Sequence, residues 1–560
     1  LQAENFTFDN NATPVNYIWG TLDELAADVS NLTAAAVDSA GVYQSGGASD
    51  DTVFFTVEDG VTGFTYNGGG SPDALTDQNF VIGSTGNDVF TGADSGDVFL
   101  GRQGDDVARG GLGADTLDGG DGSDDYLITP ELYNGDENNS LGEGFESGDA
   151  VTDSGTSGTD RIFIEDGTGA RQTGVGENSV DFTSGDLSGV EQVLYANRND
   201  DGTADFSGNS RIVDVTSDQF SGVQEFSGST GVEDRLEVNF GLNQSTTSAP
   251  VVDGIEDLVL DSSGDGTANE LNEFDASGVT RDATIFVRGE TGSSDDDDHV
   301  RINNGFSDVD AAGESFNDGY GEAFSGQLDI NLRGGLSSEP GESGDVSIET
   351  GTGNTSVTTR DGTTASIQAE LMVDGKRLDL DGSDNIVVTR AGSITIDASN
   401  DLSGSGFDGN TDPLTGTLSV SAIASGDLTL LTGSGDTTYI GNDGTAAIDA
   451  QVLADDNHLI LQGSSEVTVT NLQADVDASG ASGLIDITTV SDGDNPASGD
   501  DDITITTGND DMRIRGSDGG TITVDGTNLD AGDTLAVGDQ SNFDINNIAG
   551  RVTINAGGLD

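Results

Sequence analysis

The sequence predicts an all-β chain: a parallel β-roll of short coils followed by an elongated β-solenoid, or β-helix-like, region. Three observations carry that expectation. Residues 83–127 hold five consecutive nine-residue units in one register. Elsewhere apolar residues alternate in short strings, as in Asp502-Ile503-Thr504-Ile505-Thr506, which is the period of a half-buried strand. Such strings recur about every ten residues with turn-forming residues between them and no helical crossover, and parallel strands joined in that way make a solenoid.

Composition bounds the rest. The 560 residues carry 103 acidic and 18 basic side chains, a formal net charge of −85, with 33% hydrophobic residues. Low hydrophobicity at such charge signals disorder unless bound cations neutralise the carboxylates. Proline is scarce, at 7 residues, and the 84 glycines fall at regular positions, so the sequence reads as a folded chain. Its charge excludes nucleic acid and anionic lipid as partners. Cysteine is absent, which in a secreted chain leaves metal to supply the staples. No apolar run approaches the roughly 18 residues of a membrane span.

In chain order, residues 1–82 read as a mixed, mostly β lead-in. A short helix is expected at 21–29, with Thr21 as N-cap and Glu24 closing a capping box. Strands follow at 52–57 and 63–66. Trp19 reads as core. Residues 83–128 form the roll and 129–190 a β-rich connection. Residues 191–345 and 346–560 are read as two parts of the solenoid. The clearest strands of residues 129–560 lie at 161–165, 284–288, 328–332, 345–348, 393–396, 418–420, 428–430, 459–461, 467–469, 503–505, 521–524 and 552–554. Two weaker repeats run through this stretch: Gly-Val/Ile-Glu, ending at Glu191, Glu233 and Glu256, and Asp-Ala-Ser, beginning at Asp275, Asp397 and Asp477.

The nine-residue unit has its own chemistry. Glycine opens each unit at Gly83, Gly92, Gly101, Gly110 and Gly119, and glycines at the first and fourth positions are expected to supply positive φ in tight turns. The sixth position is always aspartate: Asp88, Asp97, Asp106, Asp115 and Asp124. The eighth, Phe90, Phe99, Ala108, Leu117 and Tyr126, points inward from a very short strand. Two units complete one coil, which stacks Asp88 near Asp106 and Asp106 near Asp124. Carboxylates about 4 Å apart repel by about 4 kcal/mol at an effective dielectric of about 20. A cation must therefore sit among them. Ca2+ takes six to eight oxygens at about 2.3–2.6 Å, which carboxylates and turn carbonyls provide.

This segment resembles the RTX calcium-binding β-roll, with departures at Ser95 and Ala108. The later Gly-Val-Glu and Asp-Ala-Ser elements resemble, less specifically, the solenoids of RTX-type bacterial surface-layer proteins. The resemblance implies type I secretion, folding triggered by external calcium, and an extracellular, cell-surface location. Partners implied are calcium, copies of the chain in a lattice or filament, and cell-surface polysaccharide.

Two further loops are candidate calcium sites. Asn197, Asn199, Asp201 and Asp205 occupy EF-like positions 1, 3, 5 and 9 around Gly202, but Gly208 stands where the terminal Glu belongs. Asp261 and Asp265 make a similar loop, with Glu273 one position late. His299 and His458 stand in unrelated contexts, and the zinc-protease motif His-Glu-x-x-His is absent. The reading is a non-enzymatic, self-assembling structural protein. Two alternatives stay open: a segment of a large RTX adhesin, and a β-helix polysaccharide lyase or epimerase.

Overall fold

The computed structural model describes residues 15–17, 42–44, 52–56, 63–67, 78–92, 96–129, 131–132, 145, 148–166, 178–207, 210–229, 234–240, 244, 246, 249–261, 271–280, 283–288, 299–305, 307–311, 324, 327–332, 344–359, 363–383, 385–399, 413–422, 427–454, 456–490, 502–516, 521–539 and 542–555. The helix expected at 21–29 and Trp19 lie outside them. The chain is all-β, built of long parallel ladders. Helix among the described residues is limited to a 3-10 turn at Phe182–Ser184 and one short helix at Ser217–Gly222. That helix carries a capping box, Thr216 with Gln219, at a position the sequence reading did not single out.

The chain divides into two units. The first comprises Leu1–Gly241, Thr246–Leu260 and Gly278–Ala283. Through residue 164 most of its strands alternate between two parallel ladders, and a third ladder joins from Asn178–Asp181 onward, through Arg211–Thr216 and Arg235–Asn239. One ladder runs through Gln78–Ile82, Val98–Leu100, Thr116–Asp118, Ala150–Thr152 and Asp186–Ser188. The other runs through Thr65–Asn67, Val89–Thr91, Val107–Arg109, Asp125–Ile128, Arg161–Ile164 and Gln192–Leu194. The lead-in strands Val15–Tyr17, Val42–Gln44 and Thr52–Thr56 stand in the same two ladders. These described strands of the lead-in thus extend the same two ladders.

Within the roll each three-residue strand turns one side chain inward. Phe90, Phe99, Ala108, Leu117 and Tyr126 are all buried. The pairing sets Val89 opposite Val107 and Val98 opposite Thr116, as two units per coil require. Phe90 stacks on Phe99 with ring centroids 4.9 Å apart, and on Tyr66 at 5.7 Å. Ala108 pairs with Phe90 on one side and Tyr126 on the other. The small residue fits because its two neighbours in the row are large.

The second unit comprises Leu242–Ser245, Asp261–Ser277 and Thr284–Asp560. It again alternates strands between two parallel ladders. Thr437–Gly441, His458–Gly463, Asp475–Ala481 and Ile503–Thr506 follow one another in the first. Thr445–Asp449, Glu466–Leu472, Ile485–Thr489 and Met512–Gly516 do so in the second. Strands here are longer and bury alternate residues, as in Leu418–Ala422, where Leu418, Val420 and Ala422 face inward. The Asp-Ala-Ser elements end a strand at Asp275 and Asp397 and lie at an irregularity within the strand Asp475–Ala481 at Asp477. Ser277, Ser399 and Ser479 each donate their backbone N–H to the aspartate two residues earlier, at 3.1, 2.9 and 2.9 Å.

Candidate metal centre

The sixth-position aspartates form two columns, each carboxylate gripping the coil before it. Asp106 Oδ1 accepts the Asp88 backbone N–H at 2.7 Å, and Asp124 Oδ1 accepts that of Asp106 at 2.6 Å. In the second column Asp115 Oδ1 accepts the Asp97 N–H at 2.7 Å. The columns begin on Phe64, whose N–H goes to Asp88, and on Asn79, whose N–H goes to Asp97. The local cause is the turn: a peptide N–H that cannot join the ladder is buried and needs an acceptor.

One oxygen of each carboxylate is thereby used. The other distinguishes the sites. Asp88 Oδ2 accepts the Ser84 N–H at 2.6 Å. Asp106 Oδ2 and Asp124 Oδ2 are buried and have no hydrogen-bond partner. A Cβ on Gly101 would stand 2.0 Å from Asp106 Oδ2 and 2.5 Å from the Gly119 carbonyl oxygen, so both oxygens face one narrow gap. This corrects the expected role of the opening glycine. The first position needs glycine for that close approach, whereas positive φ falls at the second and fourth positions, as at Gly111, Gly104 and Gly113.

The electrostatics follow from burial. Desolvation pushes the Asp106 carboxyl up to about 8, with repulsion from Asp88, Asp124 and Asp105 adding to it. Burial likewise raises Asp124 and Asp160 to about 7, and raises Asp88. Such a row stays charged at neutral pH only beside a cation. The donors in reach are oxygens alone, which suits a hard divalent ion such as calcium over a soft one.

The columns continue beyond the five units. Asp149 Oδ1 accepts the Asp115 N–H at 2.6 Å and Asp160 Oδ1 accepts the Asp124 N–H at 2.8 Å. Glu191 then accepts the Asp160 N–H at 2.8 Å, so one Gly-Val-Glu element is a continuation of the same row. A signal for these was present. Gly155, Gly158, Asp160 and Ile162 repeat positions one, four, six and eight of the unit, and Gly144, Ser147, Asp149 and Val151 repeat those of the unit opened by Gly92. The intervening stretch breaks the period and hides them.

The other expected ligands that are described make hydrogen bonds of their own. Asn197–Arg198 and Ala204–Asp205 form an antiparallel hairpin. Asn197 bonds Asp166, and Asn199 Nδ2 donates to Thr203 Oγ1 at 3.0 Å. Asp201 Oδ1 accepts from Thr203, and Asp205 Oδ1 accepts from Ser207. Asn199, Asp201 and Asp205 are thus engaged within their own turns, since Asp-x-Thr/Ser folds locally whether or not an ion is near, while Asn197 reaches across to Asp166. Asp261 ends the strand Asp257–Asp261 and is buried. Asp265 lies outside the described residues. Glu273 pairs instead with Arg301 at 2.8 Å. His458 is exposed, 3.5 Å from Asp436.

No family of known proteins, no curated protein and no solved structure matches the chain.

Proposed function

We propose that this chain is a calcium-dependent structural protein of a bacterial cell exterior that assembles with copies of itself into a surface layer or sheath. The reading is carried by the buried, partnerless oxygens of Asp106 and Asp124, set in columns of acids, with the Gly119 carbonyl facing the same gap as Asp106 Oδ2. A cation-bound roll meets that need. Extracellular calcium modules bind at about 0.1–1 mM, so at about 10 mM calcium each site adds about 1.4–2.7 kcal/mol. Secretion of an unfolded chain that folds on meeting external calcium fits the same reading.

Assembly follows from the charge. A chain of net charge −85 repels its copies across any close contact, even at the roughly 8 Å screening length of physiological salt. Calcium bridging acidic loops turns that repulsion into adhesion. The loops 295–298 and 492–494, candidates for this role by sequence, lie outside the described residues; Asp502, from a third, is exposed. The lyase reading needs clustered basic groups to hold an acidic sugar. Arg161, Arg198, Arg301 and Arg377 are instead engaged by carboxylates.

Electron microscopy of the full chain with 10 mM calcium, then with excess EGTA, tests the proposal. A lattice or tube that dissolves on chelation, and that sodium chloride does not rebuild, is the expected result. Isolated rods in calcium would favour the adhesin reading, and assemblies that persist in chelator would overturn the calcium mechanism.

A further inference from the structure

The geometry points to a cation site that the repeat itself does not encode, closed by Asp153 and held in place by Tyr126. It rests on the cation reading of the roll. In the regular units each strand runs straight into the next opening glycine, as Asp118 runs into Gly119. After the strand Ala150–Thr152, two extra residues, Asp153 and Ser154, precede Gly155. That insertion adds a second carboxylate to the turn. One oxygen from each of Asp124, Asp153 and Asp160 lies within 4.8 Å of the other two.

An acidic cluster alone would mean little in so acidic a chain. Two observations set this one apart. Asp124 is 1% exposed and its Oδ2 has no hydrogen-bond partner, so one of the three clustered acids is a buried carboxylate with an unused oxygen. Asp153 is also fixed from outside the cluster. Tyr126 Oη donates to Asp153 Oδ2 at 2.7 Å while accepting the Gly119 N–H at 2.7 Å. Gly155 N–H holds the other oxygen, Oδ1, at 2.7 Å. Three carboxylates without a basic partner among them call for a multivalent ion, and oxygen-only donors call for calcium. Tyr126 is thus more than an inward-facing core residue: it is a positioning residue whose hydroxyl orients a ligand, a role usually worth about 10–100-fold in metal affinity.

Calcium titration calorimetry and tyrosine-sensitised terbium emission on the full chain test this. Asp153→Asn should bind one calcium fewer than the parent while keeping its strand signal in circular dichroism. Tyr126→Phe should keep the ion count, weaken one site by about 10–100-fold, and lower the sensitised terbium emission. Unchanged stoichiometry and affinity in a folded Asp153→Asn chain would overturn the site. Should that variant misfold, undiminished terbium emission and affinity in Tyr126→Phe would overturn it equally. Asp106→Asn separates the two readings: if it loses calcium and Asp153→Asn does not, only the Asp153 site falls. A parent chain that binds no calcium would sink both.

Discussion

Two coils of this chain, of similar length, are held together by different physics. The coil 101–118 buries two inward side chains, Ala108 and Leu117, and the carboxylates of Asp106 and Asp115. The coil 458–474 buries Leu459, Leu461, Val467, Val469, Leu472 and Ala474 and no carboxylate. Apolar burial contributes roughly 1.5–3 kcal/mol per large side chain, so the second coil has its own means of cohesion. The first has turned its interior over to charge. A parallel ladder is therefore one architecture with two sources of stability, and the choice is made by what stands at the turn and how long the strand is.

The sharpest way to break that comparison is to remove the ion. In excess chelator, amide hydrogens of the roll, such as those of Val107, Thr116 and Asp125, should exchange at rates near those of an unfolded chain. Those of Leu461, Val469 and Ile487 should remain protected. Equal loss of protection in both regions would mean that the distinction is false.

Acid should partly replace the ion. The raised carboxyls of Asp106, Asp124 and Asp160 bind protons more tightly folded than unfolded. Their contribution to the metal-free roll is then fully present below the unfolded value of about 3.9 and is lost as pH rises through about 7 to 8. Circular dichroism of chelated protein should show strand structure gained on acidification. Calcium affinity should move the opposite way, since the ion displaces those protons. A metal-free roll that loosens as pH falls from 7 to 5 would contradict the assignment of these groups.

Core substitutions should show the smallest effect and the finest contrast. Leu461→Ala is expected to destabilise the second unit by about 2–5 kcal/mol with or without calcium. Leu117→Ala should matter only in calcium, because without it the roll has no fold left to lose. Urea unfolding of both variants in both conditions reads the difference; equal calcium dependence would remove it.

The sequence was legible where one residue type carries the signal. Ile503–Thr506 and Leu428–Leu431 show their alternation openly. Thr355–Thr359 does not, since Thr355, Thr358 and Thr359 are buried beside Val357 and threonine reads as polar although its branched side chain suits a strand. The five repeat aspartates were visible because their period is fixed by the coil. Asp149 and Asp160 were not, because the inserted residues interrupt the count. Asp153 had no local signal at all, its partner Tyr126 being 27 residues away. The EF-like spacing at 197–205 does not by itself specify a site, for the converse reason: a short polar turn satisfies the same pattern with hydrogen bonds inside itself.

The carboxylate grip also has a direction. Asp106 holds the amide of Asp88, Asp124 that of Asp106, and Asp160 that of Asp124; the hold always reaches back toward the N-terminus. No coil can fasten itself. Each is latched by the one that follows it in the chain, so the last coil of a row is closed only by what lies beyond it. The row is polar in this sense: an interruption is felt first by the coil on its N-terminal side, whose amide loses its acceptor.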